Sequence, residues 1–155
     1  MTASPAPGAA ARRVRAATIH ALQTALAAEH TAVYGYAVAG AHLTGSRQQA
    51  ATRGWIAHQQ ARDALTAMVA ALGAQPVPAS ATYQLPFGVR GPQSAVALLA
   101  LLEDGLATAY LGVVPLSSDR LRLFGARGVQ TAALRATGWR GRTLAFPGLQ
   151  PAAGG

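Results

Sequence analysis

The 155-residue chain has no cysteine, no lysine and five acidic residues against thirteen arginines. Without cysteine there is no disulfide, no thiolate metal site and no thiol nucleophile. Without lysine there is no Schiff-base chemistry and no phosphate-binding loop of the Gly-Lys-Ser/Thr type, and a Gly-x-Ser-x-Gly elbow is missing too. Long apolar runs are also absent. The longest, "AVALLALL" from Ala95 to Leu102, ends at Glu103-Asp104 and is far short of the roughly 20 residues a membrane span needs. The opening "MTASPAPGAAARRVRAA" lacks the apolar centre of a secretory signal, so the expectation is a cytoplasmic protein with no membrane contact.

What is present is half hydrophobic, enough for one domain with a core and short for two. The net charge of +8 could suit an anionic partner. Arg12, Arg13 and Arg15 form a basic arm, expected to be disordered over residues 1–17. The remaining arginines are spread along the chain without interleaved aromatics, which argues against a nucleic-acid surface.

Apolar or small residues recur in steps of three and four at Ile19, Leu22, Leu26, Val33, Tyr36, Gly40 and Leu43, with Glu29 on the same seam. This spacing predicts one long helix. Gly45 is expected to end it, and Ser46 with Gln49 has the spacing of a capping box for the next. A second helix runs through Trp55, His58, Arg62, Leu65, Val69 and Leu72 to a stop at Gly73. The Pro- and Gly-rich stretch from Ala74 to Gly91 is too long for a tight turn and reads as a packed crossover anchored by Tyr83, Leu85 and Phe87. A third helix starts at Gly91-Pro92 and carries Val96, Leu99, Glu103, Leu106, Tyr110 and Val113. The fourth, capped by Ser117 or Ser118, carries Leu121, Leu123, Phe124, Arg127, Gln130 and Leu134 before Gly138. Phe146 is expected to tuck onto the bundle, and residues 150–155 to form a flexible tail.

Two helical hairpins joined by a long crossover make an all-α four-helix bundle of the ferritin-like type over residues 18–149. The segments "LAAEHTAVYGYAVAGAHL", "HQQARDAL", "YQLPF", "LLEDGLATAYL" and "AFPGL" resemble the small bacterial ferritin-like domain family of unknown function. The resemblance implies that fold, a cytoplasmic location and no established activity.

Depth can be counted from the turns. Glu29 lies sixteen residues before Gly45, and His58 and Arg62 thirteen and seventeen after it; at about 1.5 Å per residue the three are level within roughly a turn. Counted from Pro115, Glu103 lies twelve residues before, and Arg127 and Gln130 twelve and fifteen after. A di-iron bundle needs a glutamate on each of two helices and Glu-x-x-His on each of the others. Here Glu29, Glu103 and one histidine, His58, match, while Trp55-Ile56-Ala57-His58 and Arg127-Gly128-Val129-Gln130 lack both bridging glutamates and the second histidine.

Two seam glutamates facing two seam arginines are neutral without metal, and arginine does not give up its proton. The expected arrangement is therefore a buried polar cluster in which Glu29 pairs with His58 and Arg62, and Glu103 with Arg127, in a non-redox binding or scaffold bundle without cofactor. The alternative is a metal-binding oxidoreductase or storage bundle holding iron, manganese or zinc on Glu29, His58 and Glu103, which requires both arginines to point away. His30 and Tyr34 flank the cluster and Tyr83 lies within reach of it. Asp63 and Asp104 sit one residue off their seams, each as a partner for a neighbouring helix or a solvated edge charge, and Tyr36 and Tyr110 read as core aromatics. Gly35, Gly40 and many alanines would allow close helix approach and an isologous homodimer. Any protein or small-molecule ligand is left unnamed by the residues.

Overall fold

The structure, a computed structural model, describes residues 7–116 and 118–141. Four helices follow in order: α1 Pro7–Gly40, α2 Gly45–Ala71, α3 Pro92–Leu111 and α4 Asp119–Arg140, with no strand among the described residues. They form a four-helix bundle in which α1 packs on α2, α3 packs on α4, and α1 packs on α3. The fourth edge is open. Among the described residues no Cα of α2 lies within 8 Å of a Cα of α4.

Several boundaries differ from the sequence expectation. The basic arm is helical from Pro7. Arg15 donates to the carbonyl of Leu72, so one arginine of the arm satisfies an orphan acceptor at the end of α2. The first helix ends at Gly40, and Gly45 instead opens α2 with φ of 59°. Thr44 is the N-cap of α2 and makes no side-chain cap hydrogen bond, so the Ser46–Gln49 capping box does not form. Gly73, at φ 70°, does end the α2 region. Gly138 lies within α4, which closes at Gly141 in the left-handed conformation, its N–H bonded to the Thr137 carbonyl. Ser118 is the N-cap of α4 without a side-chain cap bond, and Ser117 and Phe146 lie outside the described residues.

The core divides into two clusters. One gathers Leu22, Leu26, Leu65, Val69, Leu106 and Val113, and the other Leu43, Leu98 and Leu99 with Tyr36. Helix α3 has the length and mean hydropathy of a membrane span, and half of that window is buried inside the bundle. The crossover from Ala74 to Gly91 is irregular and laid along α1. Gln23 accepts from the Val77 N–H at 2.8 Å, His30 Nε2 donates to the Val77 carbonyl at 3.0 Å, and Tyr34 packs on Tyr83 with ring centroids 5.4 Å apart. Leu85 anchors it as expected, whereas Phe87 is exposed.

Helix α4 is turned relative to its expected seam. It buries Gly125, Ala132 and Ala136 and leaves Leu123 and Leu134 exposed. Backbone approach decides this. A Cβ at Gly125 would meet Val113 and the Val114 backbone, and one at Gly128 would enter the ring of Tyr110. The small residues set how closely α4 approaches α3, and large apolar side chains on another face do not compete.

Candidate functional site

Five helix positions build the centre of the bundle. Glu29, His58 and Glu103 are 2%, 1% and 0% exposed, and Tyr36 and Tyr110 are buried beside them. His58 lies between the two carboxylates, with Nδ1 2.8 Å from Glu29 Oε2 and Nε2 3.1 Å from Glu103 Oε1. Tyr110 donates its hydroxyl proton to Glu29 Oε1 at 2.6 Å. Tyr36 donates to Glu103 Oε1 and in turn accepts from the indole N–H of Trp139 at 2.9 Å. The result is one chain, Trp139–Tyr36–Glu103–His58–Glu29–Tyr110, that threads all four helices.

The two tyrosines show how the sequence builds this. Tyr36 follows Glu29 by seven residues and Tyr110 follows Glu103 by seven, so on each helix the pair shares a face two turns apart. Each hydroxyl then reaches the glutamate of the other helix. Glycines make the room: a Cβ at Gly54 would enter the ring of Tyr36, as one at Gly128 would enter that of Tyr110. One turn beyond Gly54 stands His58. One turn beyond Gly128 stands Ala132, which is buried, so the pseudo-symmetric partner of His58 is an alanine. A cavity of about 180 Å³ lies beside it, lined by Glu29, His58, Glu103, Tyr110, Arg127 and Arg135 among others. Glu103 Oε2, buried, has no hydrogen-bond partner among the described residues.

Protonation follows from the contacts. Burial alone lowers the pKa of His58, but its hydrogen bonds to Glu103 and Glu29, reinforced by their charges, push it up to about 9. Both ring nitrogens face acceptors, as an imidazolium with two donors requires. Burial holds the hydroxyls of Tyr36 and Tyr110 far above the ordinary phenol pKa, helped by the charges of Glu103 and Glu29 and the hydrogen bonds to them. Both tyrosines are therefore fixed as donors.

The structure brings Glu29, His58 and Glu103 together and gives Arg62 and Arg127 other surroundings than the expected pairing with the two glutamates. Arg62 turns outward and pairs with Asp63 at 2.8 Å, with no bond to Glu29. Arg127 is exposed and reaches only the cavity wall, and Gln130 is exposed. Glu103 accordingly has Tyr36 and His58 as partners, with no arginine. The physical reason is length: both arginines sit on helix flanks where the stem covers apolar surface and the head stays in water. Asp104 pairs with Arg140 of α4. His30, Tyr34 and Tyr83 belong to the crossover seam, the Tyr83 hydroxyl accepting from the Ser80 N–H at 2.8 Å. Arg135, half-buried, lines the cavity beside the centre, and its charge acts on both Tyr36 and Tyr110. Sequence reading also passed over the tyrosine hydroxyls and Trp139. The matching seven-residue Glu-to-Tyr spacings were the available signal for the tyrosines, and nothing local marked Trp139.

The donor set does not fit a di-iron pair. Such a pair needs several carboxylates against about four metal charges, and here there are two, already joined by a cationic imidazole. A single ion meets a different difficulty. Glu29 and Glu103 lie on opposite edges of the His58 ring, so the three groups do not converge on one point. Among the described residues no group of three or more His, Asp or Glu is arranged to hold a metal.

A family profile described as a domain of unknown function (DUF4439) matches residues 21–151. No curated protein matches. Among solved structures the chain is similar to a conserved hypothetical protein, rv2844, from Mycobacterium tuberculosis, at 31% identity and a TM-score of 0.78. The match covers 81% of this chain and 96% of that one.

Proposed function

The chain belongs to the family described as a domain of unknown function (DUF4439), and on that footing we propose that it is a ferritin-like bundle serving as a binding or scaffold protein without metal redox chemistry. A Glu29–His58–Glu103 bridge occupies the mid-depth position at which di-iron ferritin-like bundles hold metal. The observation that carries this reading is that both nitrogens of His58 are spent, one on each carboxylate. An imidazolium has no lone pair for a metal, and its charge offsets one of the two carboxylates. Arg135 lines the cavity beside the bridge, and its charge acts on the hydroxyls of Tyr36 and Tyr110. Buried charges joined in this way fix which faces of α1, α2 and α3 meet.

Two observations favour the alternative, a bundle that binds iron, manganese or zinc. Arg62 and Arg127 stand away from the centre, and Glu103 Oε2 is a buried carboxylate oxygen without a partner among the described residues. That reading requires His58 to lose its bridging proton and turn. Metal analysis by mass spectrometry on untagged protein separates the two, before and after incubation with ferrous iron, manganese or zinc. We expect no stoichiometric metal. A stoichiometric ion that is lost in both Glu29→Ala and His58→Ala would overturn the proposal.

A further inference from the structure

The open edge between α2 and α4 holds a second cavity, of about 460 Å³, separate from the Glu29–His58–Glu103 bridge. Its walls carry Arg47 and Arg53 from α2, Arg135 and Trp139 from α4, Ser46 in the first turn of α2, and the ring side of Tyr36. Gly54 and Gly138 keep the walls low. No acidic residue lines it.

The acids are all committed elsewhere. Glu29 and Glu103 belong to the bridge, and Asp63, Asp104 and Asp119 pair with Arg62, Arg140 and Arg122. Arg47, Arg53 and Arg135 therefore line one cavity with no carboxylate to answer them among the described residues. Arginines that line one space carry like charge, which an anion bound among them would offset. The first turn of α2 adds backbone N–H groups and a hydroxyl at the same mouth. The aromatic wall is rigid, because the indole N–H of Trp139 is tied to the Tyr36 hydroxyl at 2.9 Å. A volume of about 460 Å³ falls in the range of small-molecule sites.

We propose that this cavity binds a small organic phosphate whose planar ring lies against Trp139 and whose phosphate is held by Arg47, Arg53 and Arg135. A phosphomonoester carries about −1.5 to −2 charge at neutral pH with three acceptor oxygens, which suits three guanidinium groups better than a single carboxylate does. Arginine presents paired N–H donors to phosphate and stacks on aromatic planes, so the same residues serve both halves of the ligand. The contact also reaches the bundle centre: Tyr36 lines this cavity and donates to Glu103, and Arg135 lines both this cavity and that beside His58. The inference rests on the reading of the bundle as a binding protein. The metal assay reads the bridge and the anion assay reads arginines outside it, so failure of one is told apart from failure of the other.

The test is calorimetric titration of the full chain with adenosine 5′-monophosphate, adenosine, inorganic phosphate and benzoate at fixed salt. Quenching of Trp139 fluorescence in a Trp55→Phe background serves as a second readout. The expected result is one-to-one binding of the monophosphate with quenching, at least tenfold tighter than adenosine, phosphate or benzoate. Arg53→Gln and Arg135→Gln each weaken it at least tenfold, while Arg12→Gln/Arg13→Gln, which removes the same kind of charge at the exposed start of α1, leaves it unchanged. The proposal is overturned if no monophosphate binding appears at millimolar concentration, or if the arginine variants and the Arg12/Arg13 control weaken binding alike, which marks diffuse attraction to a +8 protein. It is equally overturned if benzoate binds as tightly as the monophosphate. Circular dichroism of each variant verifies that the bundle remains folded.

Discussion

His58 makes the stability of this protein depend on pH in a direction opposite to that of most salt-bridged carboxylates. Its imidazole has a pKa near 6.5 in the unfolded chain and about 9 in the bundle. The folded state holds the proton more tightly, so the associated stability is fully present below pH 6.5 and is lost as pH rises toward 9. At about 1.36 kcal/mol per pH unit, that interval corresponds to ~3 kcal/mol, a large share of the roughly 5–15 kcal/mol by which a domain is stable. The assay is a series of urea melts from pH 6 to pH 9.5, on the native chain and on His58→Gln. The variant removes the titrating group but not the rest of the +8 charge, so the difference between the two curves isolates His58. That difference should shrink by ~3 kcal/mol across the window and level off above pH 9.5. A difference constant to within about 0.5 kcal/mol would refute the buried imidazolium, and with it the proposed bridge.

Four further outcomes follow from the same geometry. Glu29→Ala strands the Nδ1 proton of His58 and the Tyr110 hydroxyl, and should cost about 3 kcal/mol or more in a urea melt. Arg62→Ala, by contrast, removes a largely solvated pair with Asp63 and should change stability by no more than about 0.5 kcal/mol; a larger loss would restore a buried role for Arg62. Tyr110→Phe deletes a hydrogen bond to a carboxylate and should cost about 1.5–3 kcal/mol by the same measurement. Gly128→Ala drives a methyl into the Tyr110 ring, whereas nothing stands near a Cβ at Gly105. The first should destabilise by about 1–3 kcal/mol and Gly105→Ala should stabilise by about 0.5–1 kcal/mol. Equal effects would show that α3 and α4 are not packed through Gly128.

Ala132 stands on α4 where His58 stands on α2, one turn beyond the glycine that makes room for a tyrosine ring, and the centre is asymmetric. Glu29 has a partner on each oxygen, His58 and Tyr110. Glu103 has both its partners on Oε1, and Oε2 has none among the described residues. A buried polar atom without a partner costs free energy, and the adjoining cavity of about 180 Å³ has room for several waters at roughly 30 Å³ each. That cavity lies between α2 and α4 at the open edge and shares Arg135 with the arginine-lined cavity.

The sequence by itself determined the four helices, the long crossover and the burial of Glu29, His58 and Glu103. These are properties of periodicity and of counting from turns: a three-four pattern selects a face, and a fixed rise per residue sets depth. It also contained the Glu-to-Tyr spacings that place Tyr36 and Tyr110 near the centre. Which partner each charge takes was decided only by the tertiary structure. Arg62 and Arg127 lie at the right depth, yet a long side chain on a helix flank can turn to water, and only the packed neighbours say which way it goes. The rotation of α4 is of the same kind. Its leucines suggested one face, but contact between backbones is won by Gly125, Gly128, Ala132 and Ala136, and that rotation brings Arg135 and Trp139 to the edge left open opposite α2.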